Sequence, residues 1–219
     1  MFRTVAAPDG CGDSRPRGER SQRLRAAAAL GSLLLLVVSD RGVAATPDYE
    51  ALRVAPYAVT PEDIADEMLK LAHVGPGDYV VDLGSGDGRL VIRAVSRFGA
   101  RGGLGVDIND KLVAYANAWA AEQGVSDRVA FHTRDLFATS VSEATVVTIY
   151  LFPKIMARVR DKLLAELAPG ARVVSHDFPL PGWRIDRIAT FAAPEKNDTT
   201  GRRDAVLYLY TVPARSAGQ

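Results

Sequence analysis

Residues 80–90 read VVDLGSGDGRL, and the fold is decided by how this stretch is understood. Val80, Val81 and Asp82 end a run, DYVVDLG, that predicts a short buried strand, after which Gly84, Gly86 and Gly88 alternate with Ser85 and Asp87. Glycine permits positive φ and lets backbone approach a ligand closely. The next segment, GRLVIRAVSRFG, predicts a helix ending at Gly99, whose first N–H groups and dipole would face the same spot. A dinucleotide fingerprint, G-x-G-x-x-G, is one reading of such a turn. Counted from Gly84, however, its sixth position is Arg89, where close helix–strand packing wants a small residue. The spacing present is Asp-x-Gly-x-Gly-x-Gly, from Asp82 to Gly88. A carboxylate at its head suits a ligand with a cationic amino group and is poor company for a pyrophosphate.

Working outward, strand and helix signals alternate. TPEDIADEMLKLAHV predicts an amphipathic helix with Ile64, Met68 and Leu71 on one face, Thr60 as N-cap and Pro61 in the first position. GGLGVDI predicts the second strand, and Asn109 is placed to cap DKLVAYANAWAAEQG, which stops at Gly124. DRVAFHTRD, ATVVTIYLF and ARVVSHDF predict the third, fourth and fifth strands, with KIMARVRDKLLAEL as the helix before the last of them. WRIDRIATFAA and RDAVLYLYTVP then follow as strands joined by the polar loop PEKNDTTG. Five strands separated by helices predict a doubly wound, mostly parallel α/β sheet, and two closing strands on a short loop predict an antiparallel hairpin at its C-terminal end. The expected fold is thus a seven-stranded, Rossmann-like sheet over residues 46–219.

Residues 1–45 differ in character. Arg15, Arg17, Arg20, Arg23 and Arg25 precede the apolar run Ala26–Val38, and small residues follow at Val43 and Ala45. That pattern predicts a signal peptide or a membrane anchor, outside the fold. A signal or anchor points to an exported or membrane-associated protein. A net charge of +1 gives no electrostatic case for nucleic-acid binding. Cys11 is the sole cysteine and His73, His132 and His176 lie scattered, so no metal site is expected.

The glycine spacing together with the seven-strand pattern resembles the class I S-adenosylmethionine-dependent methyltransferases. PYAVTPEDIADEML, DLGSGDGRLVI, YLFP and PGARVVSHDF with Trp183 nearby are similar, as a set, to the protein-lysine methyltransferases of the ATP synthase c-subunit and the adenine nucleotide translocase, and to their bacterial relatives. The resemblance runs from about Ala55 to Trp183. It implies S-adenosylmethionine as cofactor, with Asp82, Gly84, Ser85, Gly86 and Gly88 around it. Asp107 would meet the ribose hydroxyls and Asp135 the adenine amino group. Phe137 would stack on the adenine or simply pack, and Asp87 and Arg89 would serve the start of the helix. The implied partner is a protein substrate, a membrane-embedded one included, while supply of the cofactor favours the cytoplasmic side. Tyr150, His176 and Asp177, at the ends of strands four and five, are the candidate catalytic residues. Tyr150 stands where base-methylating relatives carry Asn or Asp, which argues against a nucleic-acid acceptor. Pro56, Tyr57 and Thr60 would form a flap over the site or a plain connecting loop, and Trp183 would line a groove or pack. A small-molecule O- or N-methyltransferase and a non-catalytic cofactor-binding protein are the alternatives.

Overall fold

Alternation along the strands sets the architecture. The computed structural model describes residues 59–194, 196 and 201–214; the segment expected at residues 1–45, Pro56 and Tyr57 lie outside them. The strands are β1 (Tyr79–Leu83), β2 (Gly102–Asp107), β3 (Val129–Thr133), β4 (Val146–Ile149), β5 (Arg172–His176), β6 (Arg187–Ala192) and β7 (Asp204–Thr211). They form one sheet of seven, in the order β3-β2-β1-β4-β5-β7-β6. The first five are parallel, and β7 runs antiparallel between β5 and β6. The helices are α1 (Glu62–Leu71), α2 (Arg89–Ser96), α3 (Asp110–Glu122) and α4 (Met156–Glu166).

Because successive strand residues point to opposite faces, neighbouring valines feed two separate cores. Val80, Val146 and Val174 pack with α1, α2 and α3 on one face, while Val81, Val147 and Val173 pack with α4 on the other. Both faces of the central strands are therefore covered, as their unbroken apolar runs predict.

Two expectations need correction. No α-helix joins β3 to β4; a 3₁₀ turn, Leu136–Ala138, stands there instead. The connecting sequence TSVSEAT is rich in Ser and Thr, which favour local side-chain to backbone bonds over helix, and only Val141 and Ala144 bury into the second core. Thr60 does not cap α1, which begins at Glu62 with Pro61 before it and no side-chain cap. Its hydroxyl pairs instead with His176 Nδ1 at 3.2 Å. By contrast, Asn109 does cap α3, accepting from the N–H groups of Lys111 and Leu112. Trp183 is buried against Tyr210, ring centroids 5.4 Å apart, so it packs in the core and does not line a groove. Among the described residues no helix is long and apolar enough to cross a membrane.

Candidate active site

In an open sheet of this kind the ligand crevice opens where the strand order reverses. Here that point is β1, with β2 on one side and β4 on the other. The glycine loop leaves β1 and folds over the end of β2, for the N–H groups of Gly84 and Ser85 both donate to the Val106 carbonyl at 2.9 Å. Gly84, Gly86 and Gly88 hold φ values of +83°, +54° and +81°, a region that disfavours any side chain. At Gly88 the space is also taken: a Cβ there would stand 2.6 Å from the Phe131 ring and 2.8 Å from the Ala116 methyl. The hydroxyl of Ser85, buried in the same loop, finds no hydrogen-bond partner among the described residues. A buried polar atom without a partner is costly, and a ligand or water in this crevice would supply the bond.

Three carboxylates converge on the loop. Asp82 is buried and accepts a 2.8 Å bond from the Thr148 hydroxyl, its cross-strand neighbour in β4. Burial pushes the Asp82 carboxyl up to about 7; the Thr148 bond opposes this, and the charges of Asp107 and Asp87 add to it. Asp107 accepts from the N–H of Gly86 and from that of Asn109, both at 2.9 Å, so it braces the loop against the start of α3. Asp107→Ala is expected to cost these two bonds and to weaken cofactor binding about tenfold or more, since one charge-assisted bond is worth roughly 1.5–3 kcal/mol. Calorimetric titration checks this, and unchanged affinity would remove Asp107 from the site.

Asp87, read in the sequence as serving the helix start, does more. Arg89 Nε donates to both its oxygens at 3.0 Å, and Arg89 Nη1 reaches the Thr60 carbonyl at 2.7 Å. The segment before α1 is thereby fastened to the glycine loop at one end and, through Thr60, to His176 at the other. Asp135 lies at the end of β3 and is exposed, its carboxylate accepting from the Phe137 N–H at 2.9 Å to cap the 3₁₀ turn. The ring of Phe137 carries the Arg158 guanidinium 3.6 Å above its centre. One residue that the sequence reading passed over is Ile108, which leaves β2 directly after Asp107 with 81% of its surface exposed. An isoleucine between an Asp and an Asn at a strand end was the available signal.

Tyr150, His176 and Asp177 do come together. The Tyr150 ring stacks on His176 with centroids 4.0 Å apart, and its hydroxyl donates to Asp177 Oδ2 at 3.1 Å. His176 and Asp177 are both buried. Asp177 holds φ at +64°, uncommon for a residue with a side chain. Its Oδ1 accepts from the Val206 N–H of β7 at 3.2 Å.

Residues 82–187 match the family described as the ANTKMT methyltransferase domain. A protein-lysine N-methyltransferase of Saccharolobus islandicus (strain REY15A) is 38% identical to this chain over 157 residues, which is 72% of this chain and 93% of that protein. The adenine nucleotide translocase lysine N-methyltransferase of Mus musculus is 40% identical over 129 residues, 59% of this chain and 56% of that protein. Among solved structures, an RNA methyltransferase from Salinibacter ruber in complex with S-adenosyl-L-homocysteine is 43% identical, with a TM-score of 0.63 over 74% of this chain and 97% of that one.

Proposed function

Because this chain belongs to the S-adenosylmethionine-dependent methyltransferase family that includes the Saccharolobus islandicus protein-lysine N-methyltransferase, we propose that it methylates the side-chain amine of a lysine in a protein partner. The site fits the cofactor that goes with the family. The unpartnered Ser85 hydroxyl and the bare glycine backbone offer polar contacts at close range, and Asp82 and Asp107 supply carboxylates for its cationic and ribose groups. When bound, S-adenosylmethionine supplies an electrophilic methyl: the acceptor nitrogen's lone pair forms the new N–C bond while the sulfur keeps the electrons of the C–S bond.

What the protein must do is present that nitrogen uncharged and aligned. A lysine has a reference pKa near 10.4, so presenting the free amine at pH 7 costs about 4.6 kcal/mol. A desolvated surface lowers this cost by disfavouring the ammonium. The Tyr150 ring, stacked on the buried His176 and with the Phe178 ring 6.5 Å away, offers such a surface just after β4. The observation that carries the acceptor reading is the Tyr150–Asp177 bond. With its proton committed to the carboxylate, the Tyr150 oxygen keeps lone pairs that can accept an N–H and aim the amine. A membrane-embedded partner, reached from the cytoplasmic side, is the narrower form of the proposal. Its support is the relatives' names, which include a lysine N-methyltransferase of the ATP synthase c-subunit from Xenopus laevis, and the half-exposed Phe152 that follows β4.

Incubating the full-length chain with methyl-labelled S-adenosylmethionine, cell membranes, soluble proteins and total RNA tests the proposal. A labelled protein band that maps to methyl-lysine, and fades in Asp107→Ala, is the expected result. Label in RNA or in a small molecule, with none in protein, would overturn the lysine reading.

A further inference from the structure

The catalytic-end cluster has a member whose local sequence reads as a solvated loop. Lys196, in the connection between β6 and β7, buries its side chain fully and forms an ion pair with Asp177 Oδ2. Its ammonium also donates to the Asp204 carbonyl at 2.9 Å. Loop lysines are almost never buried unless paired, because removing the charge from water is expensive. We propose that Lys196 is a positioning residue for methyl transfer, acting through Asp177 to set the direction of the Tyr150–Asp177 hydrogen bond; this rests on the lysine-acceptor reading above.

Donor counts decide the direction of that bond. An ammonium has only donors, so the carboxylate oxygen paired with it accepts. Asp177 is the acceptor for groups on several elements: the Tyr150 hydroxyl after β4 at 3.1 Å, the Val206 N–H of β7 at 3.2 Å and the Lys196 ammonium, with His176 Nε2 3.7 Å away. Arg202, which pairs with Asp204 at 2.8 Å, adds positive potential to the same carboxylate. Tyr150 therefore donates to Asp177, and an N–H that approaches its oxygen meets an acceptor. Without Lys196 a buried carboxylate loses its closest cation, and such a group neutralises by taking up a proton. A protonated Asp177 donates to Tyr150, and the tyrosine then turns its own proton toward the acceptor. That proton competes for the amine lone pair that the methyl group needs.

The test compares pH–rate profiles of the wild type, Lys196→Met and Lys196→Arg on the methyl-lysine product, with cofactor affinity measured alongside. For Lys196→Met, kcat should fall about tenfold or more at pH 7, the value of one charge-assisted hydrogen bond. The deficit should shrink as pH rises and Asp177 loses its proton again, while Lys196→Arg should recover most of the rate. Adding Asp177→Asn to Lys196→Met should abolish the recovery at high pH. Cofactor affinity should hardly move. A deficit of the same size at every pH, or one that follows thermal stability alone, would overturn the positioning role and leave Lys196 a structural clasp. Equal rates for Lys196→Met and wild type would overturn it as well. A wild type that yields no methyl-lysine would instead overturn the acceptor reading, and the proposal with it.

Discussion

Asp82→Asn is expected to stabilise the folded chain by about 4 kcal/mol at pH 8 and, at the same pH, to weaken its hold on S-adenosylmethionine about tenfold or more. The two effects have one origin. Asp82 is buried, and its charged neighbours, Asp107 and Asp87, are themselves carboxylates. Burial lifts its carboxyl from an ordinary value of 3.8 to about 7. The folded state thus holds a proton that the unfolded chain gives up, and the resulting stability is fully present below about pH 4 and is lost as pH rises to 7. An asparagine keeps the Thr148 bond and removes the charge, so the advantage of the variant should shrink to under about 2 kcal/mol at pH 5. A cation in the glycine loop would supply what the wild-type carboxylate lacks. Cofactor binding should accordingly tighten as pH rises through 7 and release a proton, and the variant should show neither effect. Urea unfolding at several pH values and calorimetry in buffers of differing ionisation enthalpy measure both. Parallel pH dependence in the two proteins would remove Asp82 as the responsible group.

Gly88→Val should act in the opposite direction and destabilise the fold. A branched side chain would be forced to φ near +81°, and its Cβ would meet the Phe131 ring and the Ala116 methyl well inside contact distance. Strain of this backbone type costs about 1–3 kcal/mol and overpacking about 1–3 kcal/mol more. The loss should total about 2–6 kcal/mol, enough to unfold a marginal domain. Thermal unfolding checks it. Measured in a Phe131→Ala background, the added cost of Gly88→Val should be smaller than in the wild type but not zero, because the Ala116 contact and the dihedral strain stay.

What is legible in the sequence is what short range dictates. The alternation of Val80 and Val81, the glycine spacing, the acid at each strand end and the Asn109 cap are all set within a few residues, and the parallel sheet with its closing antiparallel pair follows from them. What is not legible depends on distant partners. Thr60 reads as a helix cap because Ser and Thr before a Pro usually are; His176, 116 residues away, takes its hydroxyl. Lys196 sits in PEKNDTTG, a stretch whose composition reads as water-facing, and nothing local shows that its charge turns inward to Asp177. The missing helix between β3 and β4 has a different reason. Alternating architecture suggests one more helical unit there, but the connection is a Ser- and Thr-rich stretch without helical periodicity.

The place of β7 in the sheet has a bearing on how the molecule comes into being. The strand latest in sequence lies between β5 and β6, and it supplies the Val206 N–H to Asp177. During synthesis β1 and β2 leave the ribosome early, whereas β6 lacks its sheet neighbour and Asp177 its bond to Val206 until β7 follows. The Tyr150–Asp177 end of the sheet is therefore the last part of the molecule to be completed.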